Sequence, residues 1–210
     1  MSAEQMAQWL ERERLLAILR LERQEPAVAI VERLVEGGVT TIEFSLRMPG
    51  ALAVLSACVD EFGERARFGA GTVLSEQQAS ESVDAGAAFL VSPNLEPEVV
   101  RKAGELGVLH LPGTMSPTEI AAAIALGARL IKLFPARALG PAFIGDLLGP
   151  FPEARLVPTG GVSESNAAQF LDAGAVAVAL GSGLVNPAAT DAPDDLADRA
   201  RRLVQATRRS

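Results

Sequence analysis

Lys132 and Glu43 are the two side chains whose settings ask for a chemical explanation. Of nineteen basic residues in the chain, only Lys102 and Lys132 are lysines. Lys102 lies in EPEVVRKAGELG, a polar stretch of helical period where a solvated ammonium is the ordinary outcome. Lys132 is the one charge in the apolar run LIKLFPA. Burial disfavours the ammonium, so a lysine there can offer a free amine, a nucleophile toward a carbonyl. The Schiff base it forms is an electron sink, and a C–C bond two atoms away can break or form without a metal. Glu43, in TTIEFSLR, alternates with Ile42, Phe44 and Leu46 and is placed to move protons to and from a hydroxyl and a carbinolamine. Two blander readings stay open: a lysine whose stem is buried while its head reaches water, and a structural Glu43–Arg47 ion pair.

The elements that would position these groups are legible as eight short runs rich in Val, Ile, Leu and Phe. They span residues 15–21, 40–46, 67–73, 88–94, 108–114, 130–136, 155–161 and 177–183, and stretches of helical period separate them. Glycine in VEGGV, DAGAA, ELGVL, ALGAR and DAGAV serves as the left-handed helix stop before the next strand. Ser75 with Gln78, Ser116 with Glu119, and Ser163 before ESNAAQF resemble helix caps. Eight βα units in 210 residues, about 26 residues each, predict one (β/α)₈ TIM barrel occupying residues 1–210. Residues 1–13 read as an extra N-terminal helix closing the barrel bottom. An open doubly wound sheet is the alternative, but the first strand runs into LLAILRLERQEP rather than a Gly-x-Gly-x-x-Gly turn.

In such a barrel the chemistry sits at the C-terminal strand ends. The polar residues there are Arg20, Glu43 with Arg47, Thr72, Ser92, Thr114, Lys132, Thr159 and Ser182. Ser92 and Thr114 are also explained as turn or cap residues. Outward-facing Ile42, Phe44 and Leu46 turn Glu43 and Arg47 to the lumen, and Ile131 and Leu133 turn Lys132 and Phe134 there. PTGG at 158–161 and LGSG at 180–183 end the seventh and eighth runs. Backbone N–H groups and a helix start near Ser163 would cradle a phosphate there.

A net charge of −7 argues against nucleic acid or an anionic membrane as partner and leaves room for a small anion in a local pocket. Cys58 and His110 are each the only residue of their type, which excludes an internal disulfide and fits a reducing cytoplasm. The charged start MSAEQMAQWLERERLL is not a signal peptide, and no apolar run approaches the roughly 18 residues of a membrane span. Cys58, His110 and Trp9 read as packing residues.

IEFSLR, GAGTV, VSPN, PGT, IKLFPA, PTGGV and LGSGLV, in this order and spacing, resemble the 2-keto-3-deoxy-6-phosphogluconate (KDPG) / 4-hydroxy-2-oxoglutarate (KHG) aldolases over residues 15–186. The resemblance implies a homotrimeric class I aldolase that needs no cofactor beyond a covalent Schiff base through Lys132. Its substrate would be KDPG, cleaved to pyruvate and glyceraldehyde 3-phosphate, and also KHG, cleaved to pyruvate and glyoxylate. It implies Lys132 as the Schiff-base lysine, Glu43 as acid/base, and Arg47 and Thr72 at the pyruvate carboxylate. Pro93 and Phe134 would line the pocket, Thr159 would contact the substrate, and Gly160, Gly161, Gly181 and Ser182 would hold the phosphate. AILR in the first run and LGPAFIGDLLGPFP lean toward galactonate-pathway relatives, whereas Arg47 and Thr159 follow the gluconate pattern. KDPG is therefore the expected substrate and its C4 epimer the alternative, with Arg20 counted among substrate-binding residues by its strand-end place. Two rivals of other kinds are a metal-dependent pyruvate aldolase, for which one His and no acidic cluster leave few ligands, and a phosphate-binding isomerase or non-catalytic module, which has no need of Lys132.

Overall fold

A computed structural model describes residues 1–208. Its elements run α1 (Ala3–Glu13), β1 (Leu15–Leu19), α2 (Ala27–Glu36), β2 (Thr41–Ser45), α3 (Ala51–Phe62), β3 (Arg67–Gly71), α4 (Glu76–Asp84), β4 (Phe89–Val91), α5 (Pro97–Glu105) and β5 (Leu109–Leu111). There follow β6 (Gly113–Thr114), α6 (Pro117–Ala125), β7 (Ile131–Leu133), a 3₁₀ turn (Ala136–Ala138), α7 (Ala142–Leu148), β8 (Leu156–Pro158), α8 (Ala167–Asp172), β9 (Val178–Leu180) and α9 (Leu196–Arg208). Every strand falls inside one of the eight apolar runs. The fifth run differs from a single strand: it divides into β5 and β6 at Pro112, whose nitrogen carries no hydrogen for a ladder.

Local chemistry sets most element ends. Gly38, Gly86, Gly107, Gly127 and Gly174 have φ between 71° and 107°, the left-handed turn that ends the preceding helix. Ser75 accepts from the Gln78 N–H, and Ser116 and Glu119 form a full capping box. The expected start near Ser163 is wrong, because α8 begins at Ala167 behind Asn166. The Asn166 side chain accepts from the Ser163 N–H at 2.8 Å and donates to the Gly161 carbonyl at 3.0 Å, which makes residues 163–166 a turn.

All strand pairs are parallel. A six-stranded sheet has the order β5-β4-β3-β2-β1-β9, and a three-stranded sheet the order β6-β7-β8. The sheets meet at two places. β5 and β6 are consecutive pieces of one run, and at the other margin Thr159 bridges Ala179 while the Val176 N–H donates to the Leu156 carbonyl.

Strand residues alternate between two cores, as the pleat requires. Leu15, Ala17, Leu19, Ile42, Phe44, Leu90, Ile131, Leu133, Val178 and Leu180 pack with the helices. Leu16, Phe89, Val91, Leu109, Leu111, Val157 and Ala179 form a second cluster, which Met6, Ala7 and Leu10 of α1 join. Ser2 caps that helix through a capping box with Gln5. Among the described residues no helix is long and apolar enough to cross a membrane.

Candidate active site

Glu43 and Lys132 both stand in register with the second cluster. Glu43 is the Cα partner of Ile18 and Gly69, and Lys132 of Gly113 and Val157. Both are buried, at 2% and 7% exposure, yet among the described residues they are not in ion-pair contact with each other or with any other side chain. The Lys132 ammonium lies 5.2 Å from the Phe134 ring centroid. Burial raises the Glu43 carboxyl above its ordinary pKa, and the Lys132 charge draws it part of the way back. One Glu43 oxygen, Oε2, has no hydrogen-bond partner. Space for the carboxylate comes from β3: a Cβ on Gly71 would lie 1.7 Å from Glu43 Oε1, and one on Gly69 would lie 2.4 Å from the Phe89 ring. The GAG of the third run is therefore a gap cut for two neighbours.

The two residues open into a cavity of about 730 Å³, within the range of small-molecule sites. Arg20, Arg47, Thr72, Pro93, Phe134, Thr159, Gly160, Gly161, Gly181 and Ser182 all line it, so the structure brings every expected site residue to one place. Arg47 gets there by a different route from the one expected. β2 ends at Ser45, and Leu46 and Arg47 form a turn closed by the Met48 N–H on the Ser45 carbonyl. Arg47 is thus not part of an extended Glu43–Arg47 ladder, and no ion pair joins them. Thr72 adopts φ 62°, rare for a β-branched residue, with its hydroxyl 3.1 Å from that of Ser45.

Ser92 and Thr114, the two strand-end residues with a bland alternative, do not line the cavity. Thr114 donates to the Lys132 carbonyl, which ties β6 to β7. Ser92 donates to the Val73 carbonyl at 2.7 Å and accepts from His110 Nε2 at 2.8 Å. Among the charged lining residues, sequence reasoning missed Arg137. Arg137 directly follows IKLFPA, but an arginine in an Arg-rich chain is no signal without knowing what it folds against.

The lining holds four cations, Arg20, Arg47, Lys132 and Arg137, and one acid, Glu43. In a chain of net charge −7 this is a local reversal that suits an anion. Among the described residues no group of three or more His, Cys, Asp or Glu side chains is placed to hold a metal ion.

The family model for KDPG and KHG aldolases matches residues 6–199. The 2-dehydro-3-deoxy-phosphogluconate aldolase of Treponema pallidum is 38% identical, over 89% of this chain and 88% of the relative. The chain belongs to the KDPG and KHG aldolase family. Within that aldolase family it also resembles the 2-dehydro-3-deoxy-6-phosphogalactonate aldolase of Escherichia coli, 36% identical over 84% of this chain and 87% of the relative. A structure described as native KDPGal superposes at a TM-score of 0.87 with 34% identity, covering 93% of this aldolase-family chain and 94% of the other. The Legionella pneumophila KDPG aldolase, with pyruvate captured as a covalent carbinolamine, superposes at 0.81 with 25% identity, covering 97% and 96%.

Proposed function

We propose that this protein is a class I aldolase that cleaves KDPG to pyruvate and glyceraldehyde 3-phosphate and also cleaves KHG to pyruvate and glyoxylate. One juxtaposition carries the assignment: a buried lysine and a buried carboxyl, unpaired with each other, share an otherwise cationic cavity.

The Lys132 amine adds to the C2 ketone, and the carbinolamine loses water to give an iminium. Glu43 takes the proton of the C4 hydroxyl as the C3–C4 electron pair flows into that iminium. The aldehyde leaves, and the enamine gains a proton at C3. Hydrolysis of the resulting pyruvate imine frees Lys132. The neutral side of the Glu43 equilibrium is favoured by burial, which fits a group that must hold a proton as well as take one. Arg47 and Thr72 would hold the keto-acid carboxylate beside Lys132, with Pro93, Phe134 and Thr159 shaping the space around the reacting carbons. Gly160, Gly161, Gly181 and Ser182 would hold the phosphate. No metal takes part.

The same reading makes the two sheets one eight-stave ring of a single domain 1–210, with residues 109–114 as one stave and α1 stoppering the end away from the cavity. Support comes from the shared run at Pro112, from the Thr159–Ala179 bridge and from the place of Met6 and Leu10 in the inner cluster. A homotrimer, which rests on the family resemblance, and a cytoplasmic location, which rests on the single cysteine, complete the proposal. The C4 epimer, 2-keto-3-deoxy-6-phosphogalactonate, is a second substrate reading, favoured by Arg20 in the cavity wall and by the galactonate-type relatives.

Treatment with pyruvate and borohydride tests the mechanism. One reduced pyruvyl group is expected, mapping to Lys132, and turnover is expected to survive chelator. An unmodified protein would favour a phosphate-binding isomerase or module instead. Comparing kcat/KM for the two C4 epimers and KHG orders the substrates.

A further inference from the structure

Two cavity cations, Arg20 and Arg137, are left without a task by the Schiff-base chemistry and the carboxylate end of the substrate, and Arg137 is the one set against the glycine pair. Arg137 sits in the 3₁₀ turn directly after the Phe134–Pro135 pair, where its N–H donates to the Gly160 carbonyl at 2.8 Å. A Cβ on Gly161 would lie 2.4 Å from Arg137 Cβ and 3.1 Å from its Cα. The arginine stem is therefore laid against the glycine pair, whose φ values of 84° and 90° already belong to glycine. No side chain but that of Gly could stand at 161 without displacing Arg137.

Arg137 lines the cavity, is exposed, and forms no ion pair among the described residues. Several arginines away from the cavity are tied to carboxylates, Arg101 to Glu76, Arg155 to Glu11 and Arg202 to Glu164, while Arg67 and Arg199 donate to backbone carbonyls. In so acidic a chain, an arginine kept clear of carboxylates at the rim of a glycine cradle is available to an outside anion. A cradle of glycine amides supplies dipoles but no net charge. A guanidinium adds charge and a planar fork that matches two phosphate oxygens.

We infer that Arg137 is the charged jaw of the phosphate end of this site and sets the preference for phosphorylated over unphosphorylated keto acids. The inference rests on the aldolase reading above.

The test compares wild type, Arg137→Ala and Arg137→Lys on KDPG and on KHG. Arg137→Ala is expected to lower the ratio of kcat/KM for KDPG to that for KHG by about 10- to 100-fold, mainly through KM, the scale of one charge-assisted contact. Arg137→Lys should recover part of the ratio. Equal losses on both substrates, or an unchanged ratio, would overturn the role of Arg137 and leave the aldolase reading standing. Should wild type cleave neither substrate, the aldolase reading fails, and calorimetry with inorganic phosphate still decides the jaw. Arg137→Ala must then bind phosphate about tenfold more weakly than wild type, and equal affinity would overturn it.

Discussion

Glu43 holds a conflict that the protein keeps for a reason. Its carboxyl is buried, one oxygen lacks a partner, and burial shifts its titration upward. A folded-state pKa above the unfolded value gives stability that is complete below the unfolded pKa and is lost as pH rises through the folded one. Glu43→Gln keeps the shape and removes that loss. The variant is therefore expected to be more stable than wild type at pH 8, with the gain vanishing near pH 4. Its kcat should fall about 10²- to 10⁴-fold, the usual worth of a general acid/base. Urea unfolding at both pH values, together with turnover, checks both halves. A variant no more stable than wild type at pH 8 would show that the buried Glu43 carboxylate is fully compensated in the folded protein. Lys132 was legible at this scale because it is the one charge in the apolar run LIKLFPA and coincides with a second inward-facing charge, Glu43. The same test does not find Arg137, which lies outside any apolar run.

At the scale of elements, strand β3 is shaped by what its neighbours place against it. Gly71→Ala would set a methyl group 1.7 Å from Glu43 Oε1, so the carboxyl must leave its position. A loss of turnover of about 100-fold or more is expected, with the far-UV spectrum retained, because a displaced acid/base group forfeits its whole effect. Gly104→Ala in α5 is the control. Nothing lies within 4 Å of its added Cβ, and a gain of about 0.5–1 kcal/mol is expected from helix propensity. Near-normal turnover in Gly71→Ala would show that Glu43 tolerates displacement or has another role. The strand itself was visible in RFGAGTV; the structure adds that its Phe68 packs with the helices, its ring centroid 5.9 Å from that of Phe44. The purpose of its glycines was not, since a glycine in a strand pattern signals close approach without naming what approaches.

For the molecule as a whole, pH sensitivity should carry the mark of its single histidine. His110 faces the helices beside Ser92, its Nδ1 has no partner, and burial pushes its pKa down to about 4. The stability this gives is present above the unfolded value and is lost as pH falls from there toward about 4. Wild type should lose up to about 1.4 kcal/mol per pH unit between pH 6 and 5, and His110→Asn should flatten that slope whatever its stability at neutrality. Denaturant midpoints across the window measure it, and parallel slopes would place the acid sensitivity elsewhere. The sequence by itself determined the eight apolar runs, the five glycine helix stops, the lone charges Glu43 and Lys132 within two of those runs, and the glycine-rich ends of the last two. Each depends on alternation, φ restriction or desolvation, which act within a few residues. Tertiary structure alone decided that Glu43 and Lys132 share a cavity without pairing, that Pro112 divides the fifth run, that Asn166 delays α8, and that Arg137 rests on Gly161. Those outcomes depend on sheet register and on the approach of distant segments, and no local pattern encodes which side chain will occupy the space another leaves open.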